Sequence, residues 1–159
     1  MKKSAFLLTA AVGLLFTACT KEENNTVANN DNLVVGKWRL TYAKLFYLEN
    51  GQVKTEVDSL SKLDSCALDD LMDFKADHKA FTNQGEIQCK PFDPAEKKVG
   101  TWQLLNNNQT FILGTDSPSL ALKYRVLELT ASRMQLYQDS TVTAGGLEAT
   151  TKSIVIFEK

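Results

Sequence analysis

From Leu33 onward the chain alternates apolar and polar side chains with a period of two, in short runs of Val, Ile, Phe, Tyr, Leu and Thr. Period two sends successive side chains to opposite faces of a strand, so each run predicts a half-buried β-strand. The runs fall at about Gly36–Leu48, Asp70–Ala76, Lys79–Gln84, Lys98–Leu105, Thr110–Leu113, Leu120–Thr130, Arg133–Asp139 and Lys152–Phe157. Turn residues divide them at Glu49-Asn50-Gly51, Asn106-Asn107-Asn108, Asp116-Ser117-Pro118, Ala131-Ser132 and Gly145-Gly146. Eight short strands in hairpin order predict an all-β domain, a small antiparallel up-and-down β-barrel, because closure removes exposed strand edges. Residues 58–69 do not alternate, and one short helix or loop insertion is expected there.

The first residues follow another pattern. Lys2 and Lys3 precede an uncharged, largely apolar run from Ala5 to Phe16, which is followed by Thr17-Ala18 before Cys19. The run is shorter than the roughly 20 residues that span a bilayer. Residues 1–18 therefore read as an export leader. Phe16-Thr17-Ala18-Cys19 resembles the lipobox of bacterial lipoproteins. That resemblance implies that Cys19 becomes the acylated first residue of the mature chain, carrying fatty chains such as palmitate that hold it to a membrane.

Residues 20–32 contain Val27 as their one substantial hydrophobe and five asparagines, too little apolar surface to offset the entropy of ordering. Residues 19–32 are read as the lipidated cysteine and its tether. Lys21-Glu22-Glu23 is similar to a signal that sends some Gram-negative lipoproteins to the outer face of the outer membrane. A lipid-anchored outer-membrane location follows, at the cell surface or on the periplasmic face. Residues 33–159, about 125 residues, suit a single domain with its own core.

Charge removes one class of partner. The chain has 18 Lys and Arg against 19 Asp and Glu, and losing Lys2 and Lys3 with the leader takes the balance from −1 to −3. No basic stripe accompanies it, so nucleic acid is not an expected partner. In an exported chain the two cysteines left after Cys19, Cys66 and Cys89, are expected to form a disulfide; the alternative is two small buried hydrophobes. A hairpin turning at Asp77-His78 pairs residues whose numbers sum to 155. That register sets Phe74 opposite Phe81 and Met72 opposite Asn83, and it aligns Cys66 with Cys89.

Val35-Gly36-Lys37-Trp38-Arg39-Leu40 returns as Val99-Gly100-Thr101-Trp102-Gln103-Leu104, so Val-Gly-x-Trp-x-Leu opens two strands. Glycine permits a bulge or close backbone approach, and the following tryptophan can plug one end of a small barrel. Gly36-Lys37-Trp38 resembles the Gly-x-Trp motif of lipocalins. The ordered set of Cys66, Asp69-Asp70, Phe74, the turn at Asp77-His78, Cys89 and Gly100-Thr101-Trp102 is similar to the lipocalin-like lipoproteins of Gram-negative bacteria. The resemblance implies the barrel, the barrel-closing role of Gly36, Trp38, Gly100 and Trp102, and an export route. It implies no ligand. In typical lipocalins a basic residue packs on the first tryptophan; Arg125 and Arg133 are the candidates here. The family's turn usually carries Asp-Gly, and with His78 in place of glycine the turn is expected to exceed two residues.

Chemistry is sparse. His78 is the only histidine, which leaves no His-rich metal site, and it falls at a predicted hairpin tip. Asp69, Asp70 and Asp73 lack a calcium-loop pattern, and Asp70 and Asp73 fall on opposite faces of a strand. Ser59, Ser61, Ser65, Ser117 and Ser140 lack a nucleophile elbow, and no glycine-rich phosphate loop or cofactor motif is present. No catalytic residue is assigned and enzyme activity is not expected. Binding remains. With Trp38 inward, period two brings Leu40, Tyr42 and Phe46 to the same face, with Lys44 an odd companion unless a bulge shifts the phase. Tyr42, Phe46, Met72 and Phe74 are the candidate lining of a pocket for a small apolar ligand in a monomeric barrel. The alternative is a solid barrel whose loops contact a protein or glycan.

Overall fold

The computed structural model describes residues 29–159 apart from 116–120 and Gly145-Gly146. The leader, Cys19, the Lys21-Glu22-Glu23 segment and the turns at Asp116-Ser117-Pro118 and Gly145-Gly146 lie outside the described residues. A four-residue helix, α1 (Asp31–Val34), precedes β1 (Gly36–Glu49) and β2 (Gln52–Asp58). A 3-10 turn (Leu60–Lys62) and a second short helix, α2 (Ser65–Leu68), fill the stretch that does not alternate. Then follow β3 (Leu71–Phe74), β4 (Lys79–Asn83), β5 (Glu96–Leu105), β6 (Thr110–Gly114), β7 (Leu122–Leu129), β8 (Arg133–Ala144) and β9 (Leu147–Glu158). Every pairing is antiparallel. β1 joins β3 through β8 in chain order, and β9 returns to β1, closing eight strands.

β2 is the extra strand, absent from the eight expected from the sequence. It pairs with the second half of β1 (Lys44↔Asp58 to Glu49↔Gln52), whereas β3 pairs with the first half of the same edge (Gly36↔Phe74 to Arg39↔Leu71). The two are collinear halves of one return strand, separated by the helical excursion. Val53, Thr55 and Val57 do alternate with Lys54, Glu56 and Asp58, but nearly every β2 side chain is exposed. Only the two valines are strong hydrophobes, so the run is a weaker signal than the core-facing strands give.

The β3–β4 hairpin differs from the expected register by one residue. Met72 faces Thr82, Asp73 faces Phe81 and Phe74 faces Ala80. The reason is the turn. Lys75 N–H donates to Lys79 O (2.9 Å) and His78 N–H to Lys75 O (3.0 Å), with His78 at φ +61. Ala76, Asp77 and His78 form a three-residue loop whose last residue is left-handed, a geometry that glycine usually supplies. Cys66 and Cys89 are nevertheless joined, with Cα atoms 5.1 Å apart. They lie in α2 and in the β4–β5 loop, outside the ladder.

The core fills the end of the barrel that α1 covers. Phe74 is its hub, edge-on to Phe111 (5.5 Å between ring centroids), Trp102 (6.1 Å) and Phe157 (6.4 Å). Trp38, Met134, Leu136 and Val34 complete it, each at 1% exposure or less. Aromatic rings in edge contact add to the gain from burial, and this half of the barrel is solid.

Candidate functional site

The two Gly-x-Trp segments build the closed end. Trp38 Nε1 donates to Val34 O (2.6 Å), fixing α1 across the opening, and Trp102 Nε1 donates to Lys75 O (3.0 Å) in the β3–β4 turn. The His78 ring packs on Trp102 with centroids 4.7 Å apart and planes tilted by 45°, so it serves as a turn residue packed on the plug. The basic residue over the first tryptophan is Lys159, correcting the expectation of Arg125 or Arg133. Its Nζ lies 4.3 Å from the Trp38 ring centre and donates to Val35 O (2.9 Å). Desolvation holds the Lys159 ammonium below the usual lysine pKa. Arg133 instead pairs with Glu128 and Glu158, and Arg125 lies on Tyr137. Period two does point to Lys159: it stands two residues beyond Phe157, which faces the core.

The four expected pocket residues do not line one pocket. A bulge between Leu40 and Tyr42 shifts the phase of β1: Leu40 pairs with core-facing Phe157, but Tyr42 pairs with Ile156 on the opposite face. Tyr42, Lys44 and Phe46 therefore share the outer face, while Ala43 takes the inner one and is buried. Lys44 forms an ion pair with Glu56 of β2, which explains a charge in this series. Phe74 is the packed hub described above and Met72 packs against the core, so neither is a pocket wall.

The opening lies elsewhere. β7 and β8 pair only from Leu129↔Met134 to Arg125↔Tyr137; past that point β7 continues on β6 and β8 on β9. At this fork is a groove of about 670 Å³. Lys123, Arg125, Tyr137 and Asp139 form its outer walls, and Tyr124, Val126 and Gln138 line its depth. The inward set follows from register, since Tyr124 faces buried Phe111 and Val126 faces buried Leu136. Tyr124 and Val126 also pack against the core, and burial pushes the Tyr124 phenol above its usual pKa. Across the fork the Arg125 guanidinium sits 4.7 Å from the Tyr137 ring centre, and the Tyr137 hydroxyl donates to Asp139 (3.4 Å). The sequence pattern gives no warning of this site, because it arises from where a ladder stops.

A lipocalin-like domain family model matches residues 34–136, from α1 into β8. The chain belongs to the lipocalin-like domain family. No curated protein and no solved structure matches it. The match covers the plug, the disulfide and most of the groove, whereas β9, which closes this lipocalin-like barrel, falls beyond it.

The acidic pair of this lipocalin-like domain acts on its own backbone. Asp69 Oδ2 accepts from Ile87 N–H (2.9 Å) and Asp70 Oδ1 from Gly85 N–H (3.1 Å), fastening the β4–β5 loop beside the Cys66–Cys89 bridge. A side chain at Gly85 would overlap the Asp69 carboxylate, its Cβ lying 2.2 Å from Cγ. Asp73 is buried and bound by Lys75 (2.7 Å) and the Asn83 amide (3.2 Å). All three carboxylates thus have structural partners. Among the described residues no group of three or more His, Cys, Asp or Glu is arranged to hold a metal ion.

Proposed function

We propose that this lipocalin-like protein is a non-enzymatic binding protein, tied to the outer membrane by acyl chains on Cys19, that takes a small, largely apolar ligand at the β7–β8 fork. The observation that carries the reading is the reach of the groove: it runs from the surface to Tyr124 and Val126, which pack on the core. A lipocalin-like barrel with one solid end and a cleft of a few hundred Å³ fits a small-molecule container. Sequence supports the anchor through the leader and the lipobox resemblance.

A second reading has its own support. Phe92 is 97% exposed at the β4–β5 loop, with Ile87 half-exposed on the same loop. The disulfide and the two aspartates hold this loop firmly, as a surface that contacts a protein or glycan would require. Native mass spectrometry of the protein purified from its own host separates the two. A reproducible mass lost on denaturation is expected for the container; a bare chain in every preparation would turn the assignment toward the loop.

A further inference from the structure

We propose that the groove at the β7–β8 fork selects a small anionic amphiphile, its carboxylate, sulfonate or phosphate lying between Lys123 and Arg125 and its apolar body against Tyr124 and Val126. The inference rests on the binding role proposed above and specifies the chemistry of the same site.

Lys123 and Arg125 are two residues apart on one strand, so their side chains leave the same face roughly 6.6 Å apart. Among the described residues no carboxylate forms an ion pair with either. The nearest acid in the groove wall, Asp139, accepts from Tyr137 and faces Lys152 across the β8–β9 ladder. Lys123 and Arg125 outnumber Asp139 in the groove wall; two like charges side by side repel one another, and an anion between them relieves that repulsion. Arg125 sits over the Tyr137 ring, 4.7 Å from its centre, and a planar guanidinium offers paired donors that suit a multi-oxygen headgroup. Behind these cations the lining turns apolar at Val126 and aromatic at Tyr124. Polarity is therefore graded from a cationic mouth to a core-facing floor, the arrangement an amphiphile matches and a purely apolar or purely polar ligand does not.

The test uses two fluorescent naphthylamines that differ in one group, anilinonaphthalene sulfonate and neutral phenylnaphthylamine, titrated into the full-length mature protein. The wild type is expected to bind the sulfonate more tightly, and K123Q/R125Q to weaken it by about tenfold or more while moving the neutral probe less than about twofold. K62Q/K90Q removes the same charge far from the fork and is expected to leave both probes unchanged. Unaltered thermal melts establish that the variants are folded. Dodecanoate in solution is expected to displace the sulfonate; displacement by anionic phospholipid vesicles but not by dodecanoate would assign the cations to a bilayer and overturn the proposal. Binding of the neutral probe with no sulfonate preference would overturn the anion site alone. Failure of both probes to bind would remove the container reading with it.

Discussion

Gly36 and Gly100 occupy the same place in the two Val-Gly-x-Trp repeats, yet their surroundings differ. Both have positive φ, +125 and +153, where a side chain is strained. A Cβ on Gly36 would meet only the flexible Lys159 side chain at 3.4 Å; one on Gly100 would sit 1.7 Å from the Gly114 carbonyl oxygen. Gly36→Ala is expected to cost about 1–3 kcal/mol of stability from backbone strain. Gly100→Ala also forces β5 and β6 apart and is expected to exceed about 4 kcal/mol. Urea unfolding of the two variants checks this, and equal losses would contradict it. The repeated glycines and tryptophans are legible in sequence because steric need and bulk leave few substitutes. Lys159 is hard to see, since its role depends on where the last strand ends. Tyr42 and Phe46 mislead because a single bulged residue reverses the face of everything after it.

Alternation locates a strand most clearly where one face is buried. β1, β5 and β6 satisfy that condition, and their expected and observed spans nearly coincide. β2 does not, since it lies along the outer half of β1 with Lys54, Glu56 and Asp58 in water. The charges and the irregular register near Lys54 also make it a poor template for foreign strands. The segment that binds these elements together is the loop pair joined by Cys66–Cys89, separated by 23 residues in sequence. In the chain-entropy account, a closed loop of that size contributes about 3 kcal/mol by restricting the unfolded chain. Reduction is therefore expected to lower the unfolding free energy by about that amount. Because the bridge lies outside the ladder, strand-sensitive circular dichroism of the reduced, folded protein should be unchanged. A collapse of that signal on reduction alone would show that the bridge holds the barrel itself.

For the whole molecule, the position of the expected tether matters. The described chain begins beside the solid end, where Asn30 N–H donates to Asn108 Oδ1 (2.7 Å) and Asn108 N–H to Asn29 Oδ1 (3.1 Å). An acylated Cys19 would hold that end toward the membrane and leave the loop bearing Phe92 on the far side. Cys19→Ser is expected to move the protein from the membrane fraction to the soluble or uncleaved pool without changing the melt of its folded domain. Retention in the membrane would exclude acyl anchoring. Sequence alone reaches this scale only in part: the barrel class follows from counting alternating runs, but the fork that makes the groove depends on tertiary closure.

The seam between β1 and β9 has a kinetic meaning. Its ten-position ladder, Arg39↔Glu158 through Glu49↔Ala149, joins residues at least 100 positions apart, whereas the hairpins from β3 onward are local. Contacts of such long sequence separation form late, because the loop-closure entropy must be overcome before they contribute. Until β9 docks, β1 presents an unpaired edge and Phe157 is missing from the aromatic cluster. The slowest refolding phase should accordingly report on the seam, and the species preceding it should be the one most prone to associate with its own kind.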